Sequence, residues 1–501
     1  MSLMGLDVGT TGVKAMAFTP EGKVLARAYR EYRELYLKPG WVEMNPNEIW
    51  RFTEEVIREV TLKTKKDPIK ALSLSVLGEA VTPLRKDGKP LYNSITSIDK
   101  RSVEEARWLE ETLGREYLFQ RTGMPAHPSY TLSKILWIKN HRPDIFEKTW
   151  KFLLYEDFIL YKLGLEPAID YSLAARTMTF DIHTKTWSDE ILKKSGIDKS
   201  LLARVLPSGE VLGKISPKIA KELGLFSGTV VVLGGHDQPV SALGAGIIEE
   251  GEATDACGTV ECVTCVSDEL NLTSLKLAYN YPTYPHVIEN RFVTLAYFYT
   301  AGALLKWYRD NFAYEEKKIA EREKKDIYEV IIQQAEDKPS SLLLLPHFVG
   351  SGTPWLDPSS KGALVGLTLE TKPKDIIRAI LDSVGYELRV NLEFLEKSGI
   401  KVKVLHAIGG GAKSQEWLQI KADITGRRFI SLEISDAGCL GAAILAGKGI
   451  GIYTSFEEAV QKLVRYKKVF SPQERRRKEY EKKYRTYKKL YSSLREISSE
   501  L

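Results

Sequence analysis

The chain has 501 residues, 43 % of them hydrophobic and 28 % charged, a composition typical of a globular protein of about two to four domains. Its 72 basic and 66 acidic side chains leave a net charge of only +6, spread along the sequence, which argues against a nucleic-acid partner. No uninterrupted apolar run approaches the ~18 residues that span a membrane, and no signal peptide is read. We therefore expect a cytoplasmic protein without a membrane partner.

The cysteines are few. Cys262 and Cys265 are spaced like half of a metal site, but no second pair completes the four ligands that structural zinc requires. This pattern predicts buried free thiols in a reducing compartment.

The first elements predict a β-meander. A short apolar strand leads into a polar glycine turn, and two more strands are predicted over 13–18 and 24–32. A dinucleotide-binding unit would instead continue from its glycine loop into a helix. A helix is predicted over 46–60, with Asn45 as its N-cap, and a buried strand over 69–76. Later strands and helices alternate, which indicates an α/β architecture.

A similar start occurs near the middle of the chain. A very apolar strand over 229–233 is followed by a helix over 240–245 and a strand over 260–266. Residues 7–11 (DVGTT) and residues 255–259 (DACGT) resemble each other. Each segment begins with an Asp, ends with a Thr four positions later, and lies at a strand–turn–strand position. The pattern predicts two similar halves with a boundary near residue 247, although coincidence explains it equally well.

The C-terminal segment predicts one long helix. Ser471, Pro472 and Glu474 read as a capping box. The residues that follow at helical spacing on one face are Tyr480, Tyr484, Tyr487, Tyr491 and Leu494. We expect this face to dock on a domain, with RNA binding through the surrounding basic residues as the alternative.

The first chemical motif covers residues 7–14 (DVGTTGVK). A tight turn rich in Gly and Thr exposes backbone N–H groups and hydroxyls in a concave array that suits phosphate oxygens. Asp7 can hold Mg²⁺ directly or through water, and Lys14 adds positive charge for a transferred phosphoryl group. A plain hairpin turn is the alternative. The Walker pattern is absent, so a P-loop enzyme is excluded.

The second motif covers residues 233–238 (LGGHDQ). Two glycines allow a ligand to approach the backbone, and Asp237 then follows a strand's carboxyl end. A carboxylate there can accept a hydroxyl proton as the alcohol attacks phosphorus. Gln238 offers a donor and an acceptor to a polyol, and His236 is interpreted as a packing or supporting residue. Helix N-capping is the alternative for Asp237.

The third motif covers residues 407–414 (AIGGGAKS), after a predicted strand over 402–408. Consecutive glycines let a flat ring lie against the backbone. The helix after Ser414 directs its N-terminus to the same place, which favours an anion. The adenosine or the phosphates of a nucleotide would fit both features.

These motifs, in this order, resemble the FGGY family of carbohydrate kinases over nearly the whole chain. Residues 129–141 (SYTLSKILWIKNH) fit the family's first signature, and residues 362–367 (GALVGL) with 375–382 (DIIRAILD) fit its second. Residues 409–423 and 436–443 (DAGCLGAA) resemble its C-terminal nucleotide region.

The resemblance implies an α/β fold of two ribonuclease-H-like domains of the actin, Hsp70 and hexokinase superfamily, with the site in the cleft between them. Residues 1–247 would bind the sugar and carry the base, and residues 248–501 would bind the nucleotide. ATP and Mg²⁺ are the implied cofactors, and assembly as a homodimer is left open.

The resemblance also implies a role for each matching residue. Asp7 would be the Mg²⁺-associated acid and Asp237 the base. Substrate contacts would come from Gly78, Glu79, Asp237 and Gln238. The nucleotide and its phosphates would be held by Thr10, Thr11, Lys14, Gly258, Thr259, Gly302, Gly410, Gly411 and Ser414.

Substrate identity is where the sequence departs from familiar members. Residues 76–79 (VLGE) keep the acid of glycerol kinases as Glu79, but Gly78 replaces their Arg. Residues 94–99 (SITSID) have Ser97 where glycerol kinases place a Trp. Lost side-chain volume should enlarge the pocket, so we expect a pentulose or a polyol longer than glycerol, with glycerol itself as the alternative.

Two other classes remain as rivals. An actin- or Hsp70-like ATPase would hydrolyse ATP without any sugar and would need a partner-binding domain, which the sequence does not show. A sugar sensor that has lost catalysis would lack the base or the metal acid, whereas Asp237 and Asp7 are both present.

Overall fold

Two seven-stranded mixed sheets organise the chain in the computed structural model, which describes residues 1–501. The strands of the first half are β1 (Ser2–Val8), β2 (Gly12–Phe18), β3 (Val24–Glu31), β4 (Leu35–Lys38), β5 (Trp41–Met44), β6 (Ile69–Val76), β7 (Thr82–Leu84), β8 (Ser94–Ile95), β9 (Lys151–Leu153), β10 (Ala168–Asp170), β11 (Phe180–Asp181), β12 (Thr186–Trp187), β13 (Arg204–Leu206), β14 (Val211–Lys214), β15 (Val230–Val232) and β16 (Gly235–His236). Its helices are α1 (Pro46–Lys63), α2 (Val103–Leu113), α3 (Arg115–Thr122), α4 (Thr131–His141), α5 (Pro143–Phe146), α6 (Tyr155–Lys162), α7 (Tyr171–Ala175), α8 (Asp189–Ser195), α9 (Pro217–Leu223) and α10 (Asp237–Gly244).

The second half repeats the alternation of strands and helices. Its strands are β17 (Glu252–Cys257), β18 (Glu261–Ser267), β19 (Thr283–Pro285), β20 (Phe292–Phe298), β21 (Leu343–Leu345), β22 (Ala363–Val365), β23 (Val404–Ile408), β24 (Arg428–Leu432) and β25 (Tyr466–Phe470). Its helices are α11 (Ser274–Ala278), α12 (Gly302–Asn311), α13 (Tyr314–Glu323), α14 (Ile327–Gln333), α15 (Pro373–Lys397), α16 (Gln415–Thr425), α17 (Ala437–Gly449), α18 (Phe456–Leu463), α19 (Glu474–Tyr487) and α20 (Leu490–Glu500). None of the helices combines the length and apolarity that crossing a membrane requires.

The two large sheets have the same topology. The first runs β14-β15-β6-β1-β2-β3, and the second runs β25-β24-β23-β17-β18-β20-β19. In each, an antiparallel meander (β1-β2-β3 or β17-β18-β20) is extended by two parallel strands and an antiparallel edge strand. The predicted opening meander is confirmed, and the repeat of Asp7 in Asp255 reflects two equivalent strands.

Helix α17 joins the halves. It follows β24 in sequence but packs on β1, β6 and α10 of the first half. Glycines allow the backbones of α10 and α17 to touch, because a Cβ added at Gly441 would lie 1.9 Å from the oxygen of Val240. A side chain there would force α10 and α17 apart.

Local sequence signals explain most element boundaries. Asn45 caps α1 by accepting from the backbone N–H of Asn47 at 3.0 Å, as predicted, and the helix continues to Lys63. The predicted capping box at Ser471 is wrong, because α19 begins at Glu474 after Gln473. The predicted single helix is two, since α19 ends at Tyr487 and α20 begins at Leu490.

Candidate active site

The β1–β2 turn forms the first wall of the site. Gly9 N–H donates to the oxygen of Gly12 at 3.0 Å, which closes the turn and leaves Thr10 and Thr11 exposed at its tip. Asp7 stands at the base of the turn, and one of its oxygens, Oδ1, accepts from Ser75 Oγ at 2.7 Å. Burial raises the pKa of Asp7, against the opposing charge of Lys14.

This wall fits a magnesium ion carried by phosphates better than a complete protein-made metal site. No three His, Cys, Asp or Glu side chains are grouped to hold a metal ion. Ser75 engages only Oδ1 of Asp7, so Oδ2 is left to bind a cation or its water. Magnesium commonly uses one or two carboxylates with waters and substrate phosphates, which matches a single acid at this turn.

Lys14 is paired across the molecule. Its ammonium makes an ion pair with Asp436, the residue that precedes α17. Burial disfavours the charged form of Lys14, but the bond to Asp436 outweighs it and raises the lysine pKa. The lysine is therefore charged but shared, and a phosphate reaching it would compete with Asp436.

Asp237 lies at the second wall as the first residue of α10. The N-cap of that helix is His236, which makes no side-chain capping bond, so the alternative interpretation of Asp237 as an N-cap is wrong. Burial, followed by the charges of Asp7 and Glu79, raises the pKa of Asp237 to about 7. Its side chain keeps 27 % of its surface accessible. An accessible carboxylate with a pKa near neutrality is suited to accept a proton.

Glu79 is the third acid of this region, and the sequence did not reveal its partner. The guanidinium of Arg176, just after α7, makes an ion pair with the Glu79 carboxylate. The guanidinium centre also lies 5.0 Å from the ring of Tyr130 and 5.4 Å from the ring of Tyr284. Glu79 has φ +63°, a left-handed backbone conformation that is uncommon for a residue other than glycine.

Gly78 does not open the pocket as expected. A Cβ added at Gly78 would lie 2.9 Å from Nε2 of His236 and 3.7 Å from Cγ of Arg176. The volume of the absent side chain is therefore already filled by these two residues. Gln238, on the same wall, has its amide oxygen 3.4 Å from Thr264 Oγ of β18, a contact between the halves.

The glycines of the second half gather around the β17–β18 turn. Gly302 N–H donates to the oxygen of Gly258 at 2.9 Å, and a Cβ at Gly302 would lie 2.5 Å from that oxygen. A Cβ at Gly411 would similarly meet Sγ of Cys257 at 2.5 Å. Only glycine fits at both positions, and the shared turn, which includes Thr259, remains exposed.

Gly410 and Ser414 complete this second cluster. Gly410 is exposed after β23, and Ser414 is the N-cap of α16, accepting from Trp417 N–H at 3.2 Å. Part of the hydrogen-bonding capacity of Ser414 is therefore used by its own helix.

The acid equivalent to Asp7 is sealed in this half. Asp255 is fully buried and makes an ion pair at 2.8 Å with Lys421, which also binds Glu261 at 2.7 Å. Burial opposes the charge of Lys421, but these two carboxylates outweigh it and raise the lysine pKa. The triad supports the turn from beneath and has no access to a ligand.

The site residues predicted from the sequence thus fall into two groups. The first comprises Asp7, Thr10, Thr11, Lys14, Gly78, Glu79, Asp237 and Gln238 around the first sheet. The second comprises Gly258, Thr259, Gly302, Gly410, Gly411 and Ser414 around the second. Sequence reasoning missed Arg176 and Tyr284. The one available signal for Arg176 was a charged residue within the small and apolar run 173–178 (LAARTM), which indicates a buried charge that needs a partner.

Comparisons with known proteins agree with this architecture. The N-terminal domain of the FGGY family of carbohydrate kinases matches residues 2–244, and the C-terminal domain of that family matches residues 255–450. A xylulose kinase of Bacillus subtilis (strain 168) is 30 % identical over 504 residues, covering 100 % of this chain and 98 % of the relative. A gluconokinase of the same organism is 31 % identical, covering 95 % and 93 %.

A solved structure extends the agreement to the fold. The ligand-bound xylulose kinase from Lactobacillus acidophilus superposes with a TM-score of 0.88 at 25 % identity, covering 98 % of each chain. Two matched domains, full-length relatives and this superposition all point to one conclusion. The chain is a two-domain α/β ATP-dependent carbohydrate kinase and belongs to the FGGY family.

Proposed function

We propose that this kinase phosphorylates a hydroxyl of a neutral sugar or polyol longer than glycerol, with a pentulose as the first choice and Asp237 as the base. The observation that carries the proposal is the Asp237 carboxylate, which is accessible at the cleft and has a pKa of about 7. It is close enough to Asp7 and Glu79 for their charges to raise that pKa.

In the proposed mechanism, the first half holds the acceptor. Glu79, fixed by Arg176, and Gln238 bind substrate hydroxyls, and Asp237 orients the reacting hydroxyl and accepts its proton during in-line transfer. The backbone N–H groups and hydroxyls of Thr10 and Thr11 hold the transferred phosphoryl, and Lys14 offsets its charge. Closing the cleft excludes water, which would otherwise compete as acceptor.

The second half, residues 248–501 in this division of the chain, would hold the nucleotide, and residues 1–247 the sugar. The turn at Gly258 and Thr259 would contact phosphates, Gly302 and Gly411 would let the backbone pack closely around that turn, and the open position at Gly410 would leave room for the adenosine. Asp7 would hold Mg²⁺ with waters and ATP oxygens, and the ion would neutralise charge on the phosphates when bound.

The charges near the acceptor site favour a neutral substrate over a sugar acid. Arg176 is paired with Glu79, and Lys14 with Asp436. The ammonium of Lys134 is buried and bonded to the backbone oxygens of Glu79, at 3.1 Å, and Ser129. Because these three groups are already bonded, a substrate carboxylate would have to displace one of their partners and would face the acids of the cleft. This favours a ketose or polyol over gluconate, although a gluconokinase is among the relatives.

Ser97 is the one substitution at the acceptor pocket that supports a substrate longer than glycerol. Ser97 is half-buried and lacks the volume of a tryptophan. Gly78 contributes no space, since His236 fills it. The full-length similarity to xylulose kinases in sequence and fold supports a pentulose. Glycerol remains the alternative acceptor.

A screen of ADP release tests this proposal. The panel contains D-xylulose, D-ribulose, xylitol, glycerol and gluconate at saturating ATP and Mg²⁺. We expect a neutral five-carbon acceptor to exceed gluconate by at least ~10²-fold in kcat/KM, comparable to the cost of a buried unpaired charge. Preference for gluconate would overturn the argument from charge, and preference for glycerol would overturn the argument from pocket size. ADP release that no acceptor changes would indicate an ATPase.

Asp237→Asn tests the base separately. The amide preserves size but cannot take the proton, so turnover should fall by at least ~10²-fold while the folded state is retained. Asp189→Asn is the matched control, since Asp189 is an exposed acid on α8. Near-normal turnover in Asp237→Asn would remove that residue from the role.

A further inference from the structure

A histidine and a tyrosine stand behind the proposed base. Nε2 of His236 lies 3.2 Å from Oδ1 of Asp237, and Nδ1 of His236 lies 2.7 Å from Oη of Tyr284. Both rings are buried, with 4 % and 0 % of their surface exposed. Tyr284 belongs to β19 of the second half, so this row of polar groups crosses from one half to the other.

The protonation of these groups follows from their burial. Burial, and then the charge of Arg176, holds the pKa of His236 well below its usual range, so the imidazole is neutral. Burial raises the pKa of Tyr284, so its phenol keeps its proton. A neutral imidazole carries one N–H, and the buried phenol needs an acceptor. If Nδ1 held the proton, the phenol would have no acceptor and a lone pair of Nε2 would face a carboxylate oxygen.

Gly78 is the residue that makes room for this ring. A Cβ there would approach Nε2 of His236 to 2.9 Å and Cδ2 to 3.0 Å, closer than such contacts are normally found. The glycine at position 78 and the histidine at position 236 are therefore sterically matched.

We propose that His236 is a positioning residue for the base. Its Nε2 approaches Oδ1 of Asp237 to 3.2 Å without yet having the alignment of a hydrogen bond, and donation from Nε2–H once the substrate is bound would leave Oδ2 to accept the substrate proton. Tyr284 donates to Nδ1 and so fixes the tautomer from the opposite half of the chain. This inference rests on the proposed role of Asp237. It links the chemistry to the arrangement of the halves, because the ring is held correctly only while β19 lies against it.

Tyr284→Phe removes one oxygen and keeps the ring that packs on His236. We expect kcat to fall about tenfold, because the imidazole proton is then free to move to Nδ1 and the Asp237 carboxylate loses its donor at Nε2, while KM for the acceptor and for ATP stays within about twofold. The control is Tyr281→Phe, which also removes a buried hydroxyl, one that bonds to Asn391 in the second half. It should leave kcat unchanged. Equal kcat in the two variants would overturn the proposal.

Two substitutions of His236 sharpen the test. The amide of Gln reaches the position of Nε2, whereas the amide of Asn reaches only that of Nδ1. His236→Gln should therefore retain more kcat than His236→Asn. Adding Tyr284→Phe to His236→Gln should change kcat by less than about twofold, since no ring remains to be oriented.

The outcomes separate this inference from the proposed function. If Asp237→Asn is active, the base assignment fails and the inference with it. If Asp237→Asn is inactive but the tyrosine and histidine effects simply multiply, only the positioning role of His236 fails. Should the histidine variants not fold, the comparison of Tyr284→Phe with Tyr281→Phe still decides.

Discussion

We expect Arg176→Met to lower both the stability of the first half of the chain and the catalytic activity at pH 7. The ion pair with Glu79 is largely buried, with side-chain exposures of 11 % for Arg176 and 6 % for Glu79. Methionine keeps the apolar stem but leaves the Glu79 carboxylate without its cation. Removing one partner of a buried pair costs about 3–5 kcal/mol. At ~2–4 °C per kcal/mol for a domain of this size, the midpoint of thermal unfolding should fall by roughly 6–20 °C.

The same substitution should move the pH dependence of catalysis. Burial, with Asp7 and Glu79, raises the pKa of Asp237 to about 7, and the charge of Arg176 opposes them. Without Arg176 the pKa rises further, so less carboxylate is present at pH 7. The acid limb of kcat/KM should therefore shift to higher pH, and activity at pH 7 should fall.

Calorimetry and a pH profile of ADP release measure both effects. The control is the double variant Glu79→Gln with Arg176→Met, which removes both charges and so leaves none unpaired. It should recover much of the lost stability, because the effects of paired residues do not add. The reasoning about this pair is refuted if Arg176→Met unfolds at the same temperature as the unmodified chain. It is also refuted if the stability lost by the double variant equals the sum of the losses in the two single variants.

Three further outcomes are expected. In the unmodified kinase, kcat/KM should rise with pH through about 7, because Asp237 acts only when deprotonated; a flat profile from pH 5 to 9 would contradict this. Gly302→Ala should raise KM for ATP roughly tenfold without changing KM for the sugar, because its Cβ would lie 2.5 Å from the oxygen of Gly258; an unchanged KM for ATP would place the nucleotide elsewhere. Lys421→Met should lower stability by about 3–5 kcal/mol in denaturant unfolding, whereas exposed Lys413→Met should have little effect; equal stability of the two would show that the buried triad is not held by its lysine.

The features that were predicted well from the sequence are those that depend on short, local runs of residues. The opening meander follows from strand and turn signals, and the start of α1 from the Asn45 cap and the proline after it. The glycine motifs likewise identify turns that exclude side chains, as the 2.5 Å approach of an added Cβ at Gly411 to Sγ of Cys257 illustrates. Each of these signals lies within a few consecutive residues, so it can be recognised from one sequence without knowing any long-range contact.

The parts that were missed depend on contacts between distant segments. Arg176 and Glu79 are separated by 97 positions, and nothing near either residue indicates the other. Gly78 shows the limit more sharply. A sequence reveals that a side chain is missing, but only the structure shows that His236 occupies the vacated volume.

The repeated topology is consistent with the separate roles that we propose for the two halves. Asp7 and Asp255 lie on equivalent first strands, each beside a parallel neighbour. In the first half that neighbour supplies Ser75, which binds one oxygen of Asp7 and leaves the acid partly accessible. In the second half it supplies Ala407, and Lys421 neutralises the fully buried Asp255. Under the roles proposed above, a free acid in both halves would place two like charges beside the same phosphates, whereas sealing one would leave a single acid for a cation and an uncharged glycine surface for the nucleotide.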